Sequence, residues 1–395
     1  KKIAIRGNAD AQQEVWVFRS GHASEVIQEK TIDILLTRFP GEFKFVYVQK
    51  SDYPEVFSLI GHRWHSAVMY NGTLMKDFVT LEQWMEFFFG TIDTAEKSND
   101  FAEIPLFDAH EHVSSHGEKR FLELFSDNDV RYAVIMTLPE GRGNYKRLAE
   151  GNEALARFAK ENPGKFAPLV FLAPSDRHNL ALLKSYHKQG VKGVKLINGQ
   201  GDYFAANTEI ILDTPALREV FQYCQDHGLP VLWHVNTHLF TKGFFKALSD
   251  YPKLKVINPH FMGYLTEAPN LVRRLLERYP NLYLDISLGV DPLYLRRSFE
   301  DISAKSKEWR ALFIEFSDRF LFGIDMVVHE KTSRAHAKML YRLYRSMLEK
   351  ESFDLMFFPD RGYSSLQEVS HFHQGLNGLH LPQEVLKKIY WDNPV

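Results

Sequence analysis

The sequence predicts an α/β protein in which a (β/α)8 barrel of the TIM type follows a smaller N-terminal α/β domain, and three observations predict it. From Ile104 onward, eight apolar runs alternate with amphipathic stretches, the pattern of parallel βαβ units. The first, fifth, sixth and eighth of those runs end in His or Asp, where a closed barrel collects functional groups at the carboxyl ends of its strands. Before Ile104 the pattern differs, with short β-rich runs over 1–90 and a polar, aperiodic linker at 91–103.

In the first domain, KIAIR and EVWVFRS read as strands, followed by a helix from about Ala23 to Phe39. FKFVYVQ, a short helix near Pro54–Ile60 and SAVMY come next. Asn71-Gly72 then gives the strongest two-residue hairpin signal, leading into LMKDFV. The closing stretch, TLEQWMEFFFG, places Leu81, Trp84, Met85 and Phe88 on one helical face behind a Thr80 cap. The order β-β-α-β-α-β-β-α resembles the thioredoxin fold. The segment holds no cysteine, which excludes thiol chemistry and leaves partner binding, homodimer formation or cover over the barrel mouth as its expected roles.

In the second domain the eight strands are IPLFDAH, VRYAVIMT, FAPLVFL, VKGVKLI, LPVLWH, LKVINPH, NLYLDIS and RFLFGID. Helical stretches such as PALREVFQYCQDHG and LVRRLLERYP separate them and stop at Gly or before Pro. An open doubly wound sheet would need a phosphate-binding glycine loop after its first strand, and DAHEHVSSHG is not one.

Bulk properties narrow the function. The chain has 395 residues, 48 Lys plus Arg against 50 Asp plus Glu, and a net charge of −2. That balance gives no general attraction to nucleic acid or anionic membrane, so a small-molecule substrate is expected. No apolar run approaches the roughly 20 residues that span a bilayer. The single cysteine, Cys224, rules out an intramolecular disulfide and a zinc knuckle. It is expected as a buried apolar residue, and a cytoplasmic location is expected with it.

The chemistry lies at the strand ends. Strand alternation points His110 and His112 the same way and Glu111 the other, with Leu106, Asp108, His110 and His112 on the axis side. Two imidazoles about 7 Å apart along a strand can converge on one ion. His234, His260 and Asp325 end the fifth, sixth and eighth strands. His110, His112, His234 and Asp325 together make a three-His, one-carboxylate set suited to Zn²⁺, with Mn or Fe as alternatives. Any one of these histidines alone reads more readily as a hydrogen-bonded core or surface residue; their joint placement at one rim favours a metal site.

FDAHEH, NEALARFAKENPGKFAPLVFLAP, GVKGVKLIN, LDTPALREVFQYCQDHGLPVLWHVNT, YPKLKVINPHFMG, RFLFGID and LPQEVLKKIYWDNPV follow one another in the order found in a known family. Over 104–395 the chain resembles the amidohydrolase-related metal-dependent barrels, the group that includes aminocarboxymuconate-semialdehyde decarboxylase-like enzymes. The resemblance implies that His110, His112, His234 and Asp325 bind one divalent ion and that Asp325 also handles the proton of an activated water. It further implies that His260 polarises substrate or water. After Asp325, Met-Val-Val-His329 departs from the family's aromatic-proline sequence, and Asn393-Pro-Val395 departs from its Asn-Ala-x-Arg.

The main functional expectation is hydrolysis of an amide, lactone or ester bond in a small molecule, with a divalent ion lowering the pKa of a water and Asp325 as proton shuttle. The alternative is non-oxidative decarboxylation of an aromatic or unsaturated acid on the same ion, which needs a cationic group to orient the carboxylate. A barrel kept only as a scaffold is the reading from another class. Lys195, taken to end the fourth strand, is the candidate substrate-binding cation; carboxylated, it could instead bridge two metals. Asp285 is expected to make a structural hydrogen bond. His116 and His329 follow strand ends without being expected ligands. His371-Phe-His373 reads as helix then loop, His62 and His65 as fold or interface residues, Phe87–Phe89 as core, and the Arg273-Arg274 and Arg296-Arg297 pairs as solvated helix faces.

Overall fold

The computed structural model describes residues 3–11, 13–19, 32–33, 36, 41, 43–49, 51–52, 67–70, 73–75, 101–114, 116–138, 145–174, 176–198, 214–235, 237–289, 292–356 and 372–393. The chain divides into two compact units, Lys1–Asp100 with Met356–His373, and Phe101–Leu355 with Gln374–Val395.

The first unit carries strands β1 (Ala4–Gly7), β2 (Gln13–Arg19), β3 (Phe43–Gln49), β4 (Ala67–Tyr70) and β5 (Thr73–Met75) in the order β1-β3-β2-β4-β5. β2 and β3 are parallel, and the other pairs are antiparallel. Tyr70 pairs with Thr73, the register a two-residue hairpin at Asn71-Gly72 requires. Val15, Val17, Phe43, Phe45 and Val68 are fully buried, as β-branched and aromatic residues on a packed sheet face should be. Residues 32, 33 and 36 are helical. The helices expected at 54–60 and 80–90, His62, His65, Phe87–Phe89 and most of the 91–103 stretch lie outside the described residues.

In the second unit the strands are β6 (Leu106–Val113), β7 (Val130–Met136), β8 (Phe166–Phe171), β9 (Gly193–Asn198), β10 (Val231–Val235), β11 (Val256–Asn258), β12 (Leu282–Asp285), β13 (Phe320–Leu321) and β14 (Met326–Val328). They form one parallel sheet in the order β13-β12-β11-β10-β9-β8-β7-β6-β14. β13 and β14 are two pieces of the eighth strand, one at each edge of the sheet. The sheet therefore closes on itself as an eight-stranded barrel, with the seam bridged by Ala109 N–H to Phe322 O and Asp325 N–H to His110 O, both 2.8 Å. Gly323 sits in this seam. A Cβ there would lie 3.1 Å from His110 Cβ, tighter than ordinary contact, so a glycine permits the close approach.

The helices behave as their signals indicate. In the helix Pro215–His227, Thr214 accepts the Leu217 N–H, and Gly228 ends the helix with φ 67°. Its buried face is Leu217, Val220, Phe221 and Cys224, the i, i+3, i+4, i+7 spacing of an amphipathic helix. The Cys224 thiol is fully buried, and burial pushes its pKa up to about 12. Among the described residues no helix is long and apolar enough to cross a membrane. Strand β15 (Ser352–Met356) pairs with β16 (Phe372–Asn377), so His373 lies in a strand where the sequence reads as a loop; His371 is outside the described residues. The Asn393 side-chain amide donates to the Ser317 and Phe320 carbonyls, 2.7 and 2.8 Å, tying Asn393 to the start of β13.

Candidate metal centre

The carboxyl end of the barrel brings the imidazoles and Asp325 together. His110 and His112 project from β6 to the same side. The Asp325 backbone has φ 56°, a left-handed conformation that Asp and Asn tolerate better than other L-residues, and this turns its carboxylate back over the sheet break. Asp325 Oδ1 lies 3.2 Å from His110 Nε2 and 3.4 Å from His112 Nε2. The ligand atoms of His110, His112 and Asp325 all fall within 4.8 Å of one another.

The tautomers follow from the partners. His110 Nδ1 faces Asp285 Oδ2 at 2.8 Å, and His112 Nδ1 faces the Thr137 carbonyl at 3.1 Å. Each Nδ1 therefore donates, and each Nε2 turns its lone pair toward Asp325. Burial holds the four imidazoles far below the ordinary histidine range, with Lys195 nearby pushing the same way and His234 lowered to about 3. They are neutral, as ligands must be.

His260 belongs to the same rim. Its Nδ1 faces the Ser287 carbonyl at 3.2 Å, and its Nε2 lies 3.0 Å from His234 Nδ1 and 3.7 Å from Asp325 Oδ2. His234 thus sits beside His260 and outside the three-residue cluster. The backbone just beyond β11 is unusual: His260, Phe261, Met262, Gly263 and Tyr264 all have φ between 50° and 71°. For each non-glycine residue this costs roughly 1–2 kcal/mol, strain of the kind concentrated at functional sites. The left-handed turn stacks the Tyr264 ring on His260 at 4.9 Å and 14°.

Lys195 is not at a strand end. It lies within β9, which continues to Asn198. Its long side chain still reaches the rim: the buried Nζ is 3.0 Å from His110 Nε2. Burial lowers the Lys195 pKa, opposed by Asp325 and Asp285. Burial raises that of Asp325, opposed by Lys195.

A family profile described as Amidohydrolase matches residues 121–395. The chain belongs to the amidohydrolase family. Among solved structures it is similar to an amidohydrolase II, with 16% identity, TM-score 0.46, and coverage of 73% of this chain and 98% of that one. It is also similar to a manganese-bound dihydroxybenzoic acid decarboxylase from Polaromonas sp. JS666, with 12% identity, TM-score 0.46 and coverage of 74% and 96%. A third is a probable 2-pyrone-4,6-dicarboxylic acid hydrolase from Acinetobacter baumannii, with 15% identity, TM-score 0.45 and coverage of 61% and 92%. Among curated proteins none matches this sequence.

This amidohydrolase surrounds the rim with polar residues that sequence reasoning placed only in part. Asp285 orients both sides of the site: Oδ2 takes His110, while Oδ1 accepts the backbone N–H groups of His260 and Ser287 and the Ser287 hydroxyl. The Ser287 hydroxyl also contacts His260 Nδ1 at 3.0 Å. The alternation of Tyr283, Asp285 and Ser287 was the available signal. A second polar cluster was missed. β6 is irregular between Asp108 and Glu111, so Asp108 does not follow the plain axis-facing alternation. Both carboxyls reach the Tyr341 hydroxyl on the helix Arg334–Glu349, at 2.8 and 3.1 Å. His329 bonds the Ser114 hydroxyl at 2.9 Å, and His116 is exposed. Arg273, Arg296 and Arg297 pair with Glu315, Glu300 and Asp301.

Proposed function

We propose that this amidohydrolase holds one divalent ion with His110, His112 and Asp325, with His234 as the fourth donor, and decarboxylates a small aromatic or unsaturated acid without an oxidant. The donor set fits such an ion: the Nε2 atoms of two neutral imidazoles and a carboxylate oxygen share one small volume, a combination suited to zinc, with manganese or iron as alternatives. When bound, the ion supplies Lewis acidity and a fixed positive charge toward an anionic substrate.

The observation that carries the reading is the buried Lys195 ammonium at His110 Nε2. A second cation at the rim suits a substrate carboxylate and is superfluous for a neutral amide. In this scheme Lys195 holds the carboxylate, and His260 Nε2, whose Nδ1 donates to the Ser287 carbonyl, accepts from a substrate hydroxyl. Asp325 Oδ2 holds the proton delivered to the carbon as its bond to CO₂ breaks, so that substrate carboxylate and proton give the decarboxylated product and CO₂.

Hydrolysis of an amide, lactone or ester is the second reading. It is favoured by the 3.7 Å approach of His260 Nε2 to Asp325 Oδ2, an acid and a base within reach of one water. The test uses metal-supplemented protein on a panel of aromatic acids, unsaturated acids, amides, lactones and esters, following CO₂ and hydrolysis products separately. CO₂ release is expected. Hydrolysis product without CO₂ selects the second reading, and protein that takes up no divalent ion overturns both.

A further inference from the structure

We infer that the Lys195 ammonium and the divalent ion exclude each other on His110, so that Lys195 weakens cation binding and the arriving ion turns the ammonium out toward the substrate. The inference rests on the proposed metal centre and goes beyond it. His110 Nδ1 is committed as a donor to Asp285 Oδ2 at 2.8 Å. A neutral imidazole then has one acceptor, the Nε2 lone pair. Lys195 Nζ, which can only donate, lies 3.0 Å from that atom. A cation held by His110 needs the same lone pair, so both partners cannot be satisfied together.

Charge points the same way. The side chains of Lys195 and His110 are buried, and Asp325 and Asp285 supply the negative charge nearest the ammonium. Without the ion, Lys195 is the internal counter-charge that holds the acids and imidazoles in place. With the ion, two positive charges share one pocket and the ammonium loses its acceptor. A substrate carboxylate restores a partner, which couples cation and anionic substrate through one side chain.

A bridging lysine makes the opposite prediction, because its removal would weaken the ion's hold. Mn²⁺ titration of chelator-treated protein at fixed pH, read by electron paramagnetic resonance, separates the two. Lys195→Met and Lys195→Gln are expected to bind Mn²⁺ roughly ten- to a hundredfold more tightly than the wild type, the worth of one charge-assisted hydrogen bond. Equal or weaker binding by folded variants overturns the inference while leaving the metal centre standing. No binding by any of the three proteins overturns the metal centre as well. Should neither variant fold, acetic anhydride labelling of the wild type decides: Lys195 is expected to label several-fold faster in the Mn²⁺-loaded protein, and an unchanged rate overturns the inference.

Discussion

Strand β6 carries two polar clusters of opposite character. His110 and His112 meet Asp325, Lys195 and Asp285 at the barrel rim, where Asp325 keeps 18% of its side chain exposed. Asp108 and Glu111 both reach the Tyr341 hydroxyl, and Asp108 also accepts the His110 backbone N–H at 2.9 Å, with no exposure at all. Both clusters are expensive to bury. In the first, the groups converge where the divalent ion is proposed to bind. In the second, burial pushes the carboxyl pKa values up, Asp108 to about 7 and Glu111 well above the usual range, so the acids are stabilised by keeping protons. Burial raises the Asp325 carboxyl as well, with the Lys195 ammonium opposing it, so what separates the clusters is the cation beside the first and the hydrogen-bonding hydroxyl beside the second.

The largest effect expected from breaking this contrast is at Asp325. Asp325→Asn keeps a residue that accepts the left-handed backbone and removes the proton-carrying carboxylate. Turnover is expected to fall by roughly 10²–10⁴-fold with the thermal midpoint little changed. Wild-type turnover in the folded variant would remove Asp325 from the mechanism.

Next comes Tyr341→Phe, which acts on stability. The variant leaves Asp108 Oδ2 and Glu111 Oε1 without the hydroxyl that reaches both. A loss of roughly 1–3 kcal/mol is expected from the unmet buried acceptors, measured by urea denaturation of the metal-free protein, with turnover of the loaded enzyme largely retained. A large loss of turnover at unchanged stability would show that the second cluster serves the reaction directly.

The contrast also explains what the sequence reveals. All eight barrel strands were legible because apolar runs between helical stretches have one economical closure. The rim residues were legible because His or Asp at the end of an apolar strand is conspicuous, and His110, His112, His260 and Asp325 do converge. What stayed hidden depends on backbone irregularity. The shift between Asp108 and Glu111 breaks the two-residue period on which facing was judged. The left-handed turn at His260–Tyr264 has a single glycine to announce it. The reach of Lys195 from mid-strand to His110 depends on a long side chain whose direction strand position does not set.

The smallest expected effect is at Glu111, and it sharpens the contrast most. Glu111 is fully buried, its carboxyl keeps a proton well above the ordinary range, and its Oε1 accepts from Tyr341. A glutamine has the same shape and, like the protonated acid, carries no charge while offering both a donor and an acceptor. Its carbonyl can take the Tyr341 hydroxyl, and its amide replaces Glu111 Oε2, which has no hydrogen-bond partner among the described residues in the acid either. Glu111→Gln is accordingly expected to change stability at pH 7 by about 1 kcal/mol or less and turnover less than about twofold, where the equivalent amide swap at Asp325 is expected to cut turnover by roughly 10²–10⁴-fold. Parallel urea denaturation and turnover measurements on the two variants make the comparison. A Glu111→Gln protein that loses activity as Asp325→Asn does would mean that Glu111 works as a charge, and the division of β6 into a cation-binding cluster and a proton-keeping one would fail.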